Sequence, residues 1–159
     1  MSNDRDVTAA LADFGPATIP ASPIRVVLAD EHALMRRRLR RLIDGDDHMM
    51  VLAEADDLST ATHHVHGLLP HVLVIDLSMS NGSSIEAIRT LRRQEPGTQI
   101  VVVTMEDSPV FARQALDAGA IGFIVKHAAV AELAAGIVSA ARGVEYVSPR
   151  IAARTAASA

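Results

Sequence analysis

The sequence contains no cysteine, which excludes disulfide bonds and thiolate metal sites. It also lacks any apolar run near the roughly 20 residues that a helix needs to cross a bilayer. The first residues, MSNDRDVTAALADFGP, do not place a basic start before an apolar block, so we expect no secretory signal peptide. These absences favour a cytoplasmic protein. The length of 159 residues favours a single domain.

An excess of positive charge is also absent, since the formal net charge is −4. We therefore expect no membrane association and no direct contact with nucleic acid from this portion of the protein. The basic run RRRLRR at 36–41 falls on a predicted helix. It is interpreted as a solvated face, or as a contact for an acidic protein surface. His63, His64 and His66 point in different directions on a helix, so we expect no metal site there.

Short apolar runs alternate with segments of helical periodicity from Ile24 onward. Residues 1–23 contain Pro16, Pro20 and Pro23 and predict a flexible leader. Residues 24–147 then form the domain, and 148–159 form a tail or the start of a linker, helical at most. The predicted strands are 24–29, 50–54, 72–76, 99–104 and 122–125. The predicted helices are 33–44, 58–67, 84–94, 109–118 and 129–141.

Strands that alternate with helices in this way predict a parallel sheet covered on both faces. Continuous apolar strands are what such a sheet requires. The expected fold is α/β and flavodoxin-like, with five strands in the order 2-1-3-4-5. In that order the ligand crevice lies at the carboxyl ends of the strands, between the first and the third.

Polar residues follow or end the strands at this crevice: Asp30, Glu31, Asp76, Thr104 and Lys126. Three converging carboxylates repel one another unless a cation neutralises them. A site of oxygen ligands suits Mg²⁺. An aspartate beside bound Mg²⁺ can attack a phosphoryl group, and Lys126 and Thr104 can then stabilise the charge that develops. The sequence therefore indicates phosphoryl chemistry.

Five segments resemble the receiver domain of bacterial two-component response regulators, from about Ile24 to Pro149. The resemblance is strongest to the NarL/LuxR-type class. The segments are IRVVLADEHALMRRRLRRLI, HVLVIDLSM, PGTQIVVVTM, ALDAGAIGFIVK and YVSPR.

The resemblance implies a role for each residue at the crevice. Asp76 is the phosphoacceptor, and Mg²⁺ binds to Asp30, Glu31, Asp76 and the backbone carbonyl of Ser78. Lys126 holds the phosphoryl group. Thr104 also holds the phosphoryl group. Together with the aromatic residue Phe123, it acts as the switch.

The resemblance also implies partners. A histidine kinase is the phosphoryl donor and docks near the first helix and the loop after the fifth strand. The output is a change of the face formed by the fourth helix, fifth strand and fifth helix, with homodimerisation through that face or through the fifth helix. Regulation of transcription is expected where a DNA-binding domain follows. Such a receiver is a self-phosphorylating acceptor with autodephosphorylation, not a turnover enzyme.

Four positions depart from the usual receiver pattern. Glu31 stands where Asp is commoner, Ser80 where Pro is usual, and Ser84 where Gly is usual. His127 follows the lysine where many receivers have a cis-proline, and the isomer of that bond is left open. These departures keep a second interpretation open, namely a receiver that binds a protein or ligand without phosphate. A phosphatase is disfavoured because Ser78 stands where such enzymes usually place a second Asp.

Overall fold

Residues 22–158 are described by the structure, which is a computed structural model. The predicted leader therefore lies, apart from its last two residues, outside the described residues. The strands are β1 (Ile24–Ala29), β2 (Met49–Ala55), β3 (Val72–Ile75), β4 (Gln99–Thr104), β5 (Gly122–Val125) and β6 (Tyr146–Val147). The helices are α1 (Ala33–Asp44), α2 (Leu58–Leu68), α3 (Ser84–Gln94), α4 (Pro109–Ala118), α5 (Ala129–Ala141) and α6 (Pro149–Ser158), with a 3₁₀ turn at Lys126–Ala128.

All of these strands are parallel and form one sheet in the order β2-β1-β3-β4-β5-β6. The predicted flavodoxin-like fold is confirmed, but the predicted count of five strands is wrong because the sheet has six. The additional strand, β6, pairs Tyr146 with Gly122 and Val147 with Phe123. Two residues are too few to show the alternating pattern from which a strand is predicted.

The core consists of two apolar layers, one on each face of the sheet. Val27, Leu73 and Val102 point into the layer that is covered by α2, α3, α4 and α6. Val26 and Val74 point into the opposite layer, beneath α1 and α5. Because side chains alternate along a strand, a sheet that is covered on both faces buries successive residues, which are therefore mostly apolar. This requirement explains the continuous apolar runs of the sequence.

The segment that follows β6, for which the sequence predicts a tail or the start of a linker, helical at most, packs against the domain. Ile151 of α6 is completely buried in the same apolar cluster as Phe123. The Ser148 hydroxyl accepts a hydrogen bond from the backbone N–H of Val125 (3.1 Å) and donates one to Glu132 (2.7 Å). Ser148 therefore links β5 to α5.

Side-chain caps position three of the helices that surround the crevice. Asp57 accepts a hydrogen bond from the backbone N–H of Thr60 (2.7 Å) at the start of α2. Ser83 and Ser108 begin α3 and α4 in the same way. Such caps satisfy N–H groups that have no partner within the helix. Within residues 22–158, no helix combines the length and the apolar character needed to cross a membrane.

Candidate functional site

Four of the predicted polar residues meet at the carboxyl edge of the sheet. Asp30 follows β1, Asp76 follows β3, Thr104 ends β4, and Lys126 follows β5. All four are buried, with exposed fractions of 1%, 2%, 0% and 7%. Parallel strands bring their carboxyl ends to one edge, so the convergence follows directly from the topology.

Lys126 lies between the two aspartates. Its Nζ donates a hydrogen bond to Asp76 Oδ2 at 3.0 Å and lies 2.7 Å from Asp30 Oδ2. The second contact is an ion pair without hydrogen-bond geometry, so Asp30 Oδ2 is buried without a hydrogen-bond partner. Two carboxylates against one ammonium leave the crevice with a negative charge when all three groups are ionised, which favours the binding of a further cation.

The Asp76 residue is held by the loop that follows it. Its Oδ1 accepts a hydrogen bond from the backbone N–H of Ser78 (3.1 Å). Its backbone carbonyl accepts one from the buried Ser84 hydroxyl (2.9 Å). Glycine, the usual residue at position 84, has no hydroxyl and could not make the second bond. This departure from the receiver pattern therefore adds a tie between α3 and the end of β3.

Glu31 contacts the β3–α3 loop. Its Oε2 accepts hydrogen bonds from the hydroxyl (2.6 Å) and the backbone N–H (3.1 Å) of Ser80. These bonds, that from the hydroxyl first, hold the pKa of Glu31 below its usual range. Proline at position 80 would provide neither donor. The two unusual residues thus contact each other.

His32 lies beside Asp30 and Asp76. Within residues 22–158, one ligand atom each from Asp30, His32 and Asp76 lies within 4.8 Å of the others. Sequence reasoning missed His32, although its position two residues after Asp30 was a usable signal. The magnesium roles predicted for Glu31 and for the carbonyl of Ser78 stay predictions.

The donor set fits a divalent cation. It combines two buried carboxylates, one of which has an oxygen without a hydrogen bond, with a nearby imidazole. Oxygen-rich sites with surplus negative charge are typical of Mg²⁺ and related ions.

The two predicted switch residues are both completely buried. The Thr104 hydroxyl accepts a hydrogen bond from the backbone N–H of Glu106 (3.1 Å) and so holds the β4–α4 loop. Phe123 already lies in the core, in one cluster with Ile151 and Val147. An inward rotation of Phe123 therefore cannot begin from this conformation, and its switch role stays a prediction.

The basic run of α1 is divided between two environments. Arg36 and Arg40 contact Glu54 at 3.3 and 2.6 Å, and both are partly buried. Arg37, Arg38 and Arg41 are exposed.

The histidines of α2 also lie apart, as expected. His66 pairs with Glu95 at 2.8 Å, whereas the rings of His63 and His64 are 6.2 Å apart and tilted. Between residues 22 and 158, only the group at Asp30 has metal-ligand spacing. The peptide bond between Lys126 and His127 is trans.

Comparison with known families decides the family to which this fold belongs. Residues 26–138, well over half of the chain, match the response regulator receiver domain family. The chain belongs to this family. The predicted resemblance is confirmed, and this receiver domain is of the NarL/LuxR type. Signalling is the role of the family, so the interpretation as a phosphate-independent binding module is not favoured.

Individual relatives agree with the assignment of this receiver domain. It is 35% identical to the nitrate/nitrite response regulator protein NarP of Escherichia coli K12, over 82% of this chain and 61% of NarP. It is 33% identical to the response regulator GacA of Pseudomonas viridiflava, over 84% of this chain and 62% of GacA. The chain thus spans about three fifths of the length of these curated relatives.

A solved structure with the same fold is a LuxR-family two-component response regulator from Aurantimonas sp. SI85-9A1. It is 34% identical to this receiver domain, with a TM-score of 0.82 over 86% of this chain and 98% of that one.

Proposed function

We propose that this receiver accepts one phosphoryl group on Asp76 from a histidine kinase, in a reaction that depends on Mg²⁺. The observation that carries the proposal is the position of Lys126, whose ammonium contacts carboxylate oxygens of both Asp30 and Asp76 within a buried crevice. The expected location is the cytoplasm. The domain acts as a signalling acceptor, so the expected reaction is a single transfer with slow loss of the phosphoryl group.

Each residue of the crevice has a defined task in the transfer. A carboxylate oxygen of Asp76 forms a bond to phosphorus while the bond from phosphorus to the donor breaks. The hydrogen bonds from Ser78 and Ser84 orient Asp76 for this attack. The ammonium of Lys126 and the hydroxyl of Thr104 stabilise charge on the phosphoryl oxygens.

A bound Mg²⁺ would neutralise part of the same charge. Asp30 and Asp76 would hold it, with Glu31 and the carbonyl of Ser78 as the further ligands that the family implies.

Mass spectrometry after incubation with acetyl phosphate and Mg²⁺ tests the acceptor. The wild-type chain should gain about 80 Da, the mass of one phosphoryl group on a nucleophilic side chain. Asp76→Asn should gain nothing, and neither should the wild-type chain in EDTA. Labelling that persists in Asp76→Asn would show that another residue is the acceptor.

The docking surface for the kinase is proposed at the first turns of α1 and α5. Leu34 of α1 and Val130 of α5 are apolar yet 75% and 81% exposed. Both helices begin at the crevice edge, and Arg37 and Arg41 lie exposed along α1. An apolar contact with a basic border suits a partner helix that carries acidic residues.

Charge reversal tests this surface. Arg37→Glu combined with Arg41→Glu should slow phosphoryl transfer from the kinase, while labelling by acetyl phosphate should keep its wild-type rate. Equal slowing with both donors would mean that the site itself is damaged and would refute the docking proposal.

The output route is proposed to run from Thr104 to α6. Thr104 holds Glu106, and the next residue is Asp107. The Asp107 carbonyl accepts a hydrogen bond from Arg154 (2.8 Å), and its carboxylate lies 3.7 Å from both Arg150 and Arg154. A shift of Thr104 toward phosphoryl oxygens moves this loop and changes the contacts of α6. Coupling between two such sites is commonly worth about 1–3 kcal/mol.

Hydrogen exchange of the α6 amides with and without beryllofluoride measures this coupling. In the wild-type chain, the phosphoryl mimic should change the exchange rate of α6. In Asp107→Ala the change should shrink, although Asp76 is still labelled by acetyl phosphate. Asp117→Ala, at an exposed position of α4, is the control. If beryllofluoride leaves the amide exchange rates of α6 unchanged in the wild-type chain, this route is excluded.

Homodimerisation through α5 also belongs to the proposal. The helix α6 packs beside α4, and β6 pairs with β5. These contacts already cover part of the other predicted dimer surface, the face formed by α4, β5 and α5. Phosphorylation should increase the dimer fraction in sedimentation experiments, and an unchanged mass distribution up to high micromolar concentration would reject dimerisation. We propose control of transcription as the output where a DNA-binding domain follows.

A further inference from the structure

The YVSPR segment, residues 146–150, contains a serine whose hydroxyl bonds to the domain and not to the helix that it precedes. Ser148 is completely buried and stands directly before α6. A serine at such a position commonly caps its own helix with its side chain. Here the backbone carbonyl of Ser148 accepts the N–H groups of Ile151 and Ala152, while the hydroxyl bonds to β5 and α5.

The Ser148 hydroxyl joins the two ends of the turn that carries Lys126. It accepts a hydrogen bond from the backbone N–H of Val125 at 3.1 Å and donates one to Glu132 Oε1 at 2.7 Å. Val125 is the residue before Lys126. Glu132 lies in the first turn of α5, which follows the 3₁₀ turn that begins at Lys126. One side chain thus closes residues 125–132 into a loop.

The bond to Val125 continues the pairing of β5 beyond the end of β6. The backbone N–H of Ser148 donates to the Phe123 carbonyl at 2.9 Å, and the chain then enters α6 at Pro149. Val125 is completely buried, so its N–H needs an acceptor within the protein. On its other side Val125 pairs with Thr104. The end of β5 is therefore held from both sides immediately before the lysine.

Glu132 fixes the direction of the Ser148 hydroxyl. A hydroxyl has one proton to donate, and an ionised carboxylate can only accept. With its proton directed at Glu132, Ser148 presents a lone pair to the Val125 N–H. The Tyr146 hydroxyl donates to the same carboxylate oxygen at 3.2 Å and so helps to hold Glu132 in place.

We propose that Ser148 and Glu132 are positioning residues for the phosphoryl transfer. They fix the backbone that precedes Lys126, whose ammonium lies 2.7 Å from Asp30 and 3.0 Å from Asp76. A misplacement of about 1 Å at a reacting site can slow a reaction by about 100-fold. The inference rests on the proposed function for the reaction, whereas the position of the ammonium can be observed without it.

The first measurement is the rate at which acetyl phosphate and Mg²⁺ label Asp76 in the full chain, under conditions where urea unfolding shows each variant to be folded. Ser148→Ala should lower this rate about tenfold or more, because the Val125 N–H loses its acceptor and the strand end shifts. Thr98→Val is the matched control, since it removes a buried hydroxyl that donates to the Pro70 carbonyl at 2.8 Å, near the opposite edge of the sheet. Its rate should stay within about twofold of the wild type, as expected for a distant site.

Substitutions of Glu132 separate hydrogen bonding from charge. Glu132→Gln keeps a carbonyl oxygen that can accept from the Ser148 hydroxyl, so its labelling rate should stay close to that of the wild type. Glu132→Leu has no acceptor and should slow labelling as Ser148→Ala does. Because Glu132 is only partly buried, this variant also provides the test if Ser148→Ala does not fold.

The second measurement is the proton–nitrogen correlation signal of the Lys126 ammonium, which is buried between two carboxylates. Ser148→Ala and Glu132→Leu should shift this signal, because the ammonium moves relative to the carboxylates. Thr98→Val and Glu132→Gln should leave it in place. A variant that is destabilised but keeps the lysine in position would not shift the signal.

Wild-type labelling of Ser148→Ala, or an unshifted Lys126 signal in that variant, overturns the inference. Equal slowing by Thr98→Val also overturns it, since the cause would then be a general loosening of the fold. Equal slowing by Glu132→Gln and Glu132→Leu refutes the hydrogen-bonding role of Glu132. Failure of the proposed function is distinguishable, because the wild-type chain would then take up no phosphoryl group while the Lys126 signal still shifted in Ser148→Ala.

Discussion

The ammonium of Lys126 lies 3.0 Å from Asp76 Oδ2, and both side chains are almost completely withdrawn from solvent. The same ammonium lies 2.7 Å from Asp30 Oδ2. One cation thus offsets two buried carboxylates before any phosphoryl group arrives. The contribution of this contact to the free energy of unfolding can be measured.

Removal of the Lys126 charge should destabilise the domain. Lys126→Met leaves Asp30 and Asp76 buried without a cation, and loss of one partner of a buried ion pair commonly costs about 3 kcal/mol or more. Urea unfolding should show this loss, and Mg²⁺ should restore part of it because it binds only the folded state. Arg93 is exposed, so Arg93→Met is the control and should change the free energy of unfolding by less than about 0.5 kcal/mol. A Lys126→Met chain as stable as the wild type would show that the pair does not stabilise the resting state.

Truncation of Ile151 should reveal how firmly α6 is docked. The side chain is completely buried, so Ile151→Ala should cost about 3 kcal/mol in urea unfolding through lost burial and the cavity left behind. Val130→Ala, on a side chain that is 81% exposed, should cost less than about 0.5 kcal/mol. Equal stability of the two variants would mean that α6 does not pack against the domain in solution.

His71 should make stability depend on pH. Its Nδ1 accepts a hydrogen bond from the backbone N–H of Arg25 (2.9 Å), and burial, with the Arg25 charge nearby, lowers the pKa of His71 from 6.5. The unfolded chain then binds a proton more readily than the folded one. The stabilisation is complete above pH 6.5 and is lost as the pH falls from there toward the lowered pKa.

Urea unfolding at several pH values between about 7.5 and 5 measures this contribution, since the ordinary histidine pKa falls inside that window. His71→Asn keeps an acceptor but cannot titrate, so its stability should decline less at acid pH than that of the wild type. His63→Asn, at an exposed position of α2, is the comparison and should keep the wild-type decline. An undiminished decline in His71→Asn would exclude His71 as the source.

The cap of α2 should contribute a measurable part of the stability. Asp57→Ala removes the acceptor of the Thr60 N–H and should cost about 1 kcal/mol. The neighbouring Asp56 is exposed, and Asp56→Ala should be nearly neutral. Thermal or urea unfolding distinguishes the two, and equal effects would show that charge near the helix end matters more than the cap.

Most of the fold could be predicted from local patterns in the sequence. The predicted bounds of β1, β4 and β5 agree with the structure, because strands buried on both faces form nearly continuous apolar runs. The convergence of Asp30, Asp76 and Lys126 also followed from strand order, since parallel strands end at one edge. By contrast, β6 has two residues and no periodicity, and its pairing depends on β5 being already in place.

The sequence by itself thus determined the fold class, the family and the residues that end each strand at the crevice. Only the tertiary structure decided that Glu31 binds Ser80, 49 residues away. It also decided that Ile151 is buried and that Phe123 already lies in the core. The physical reason is that strand and helix periodicity is local, whereas a side chain at a loop or chain end takes its direction from partners that are remote along the chain.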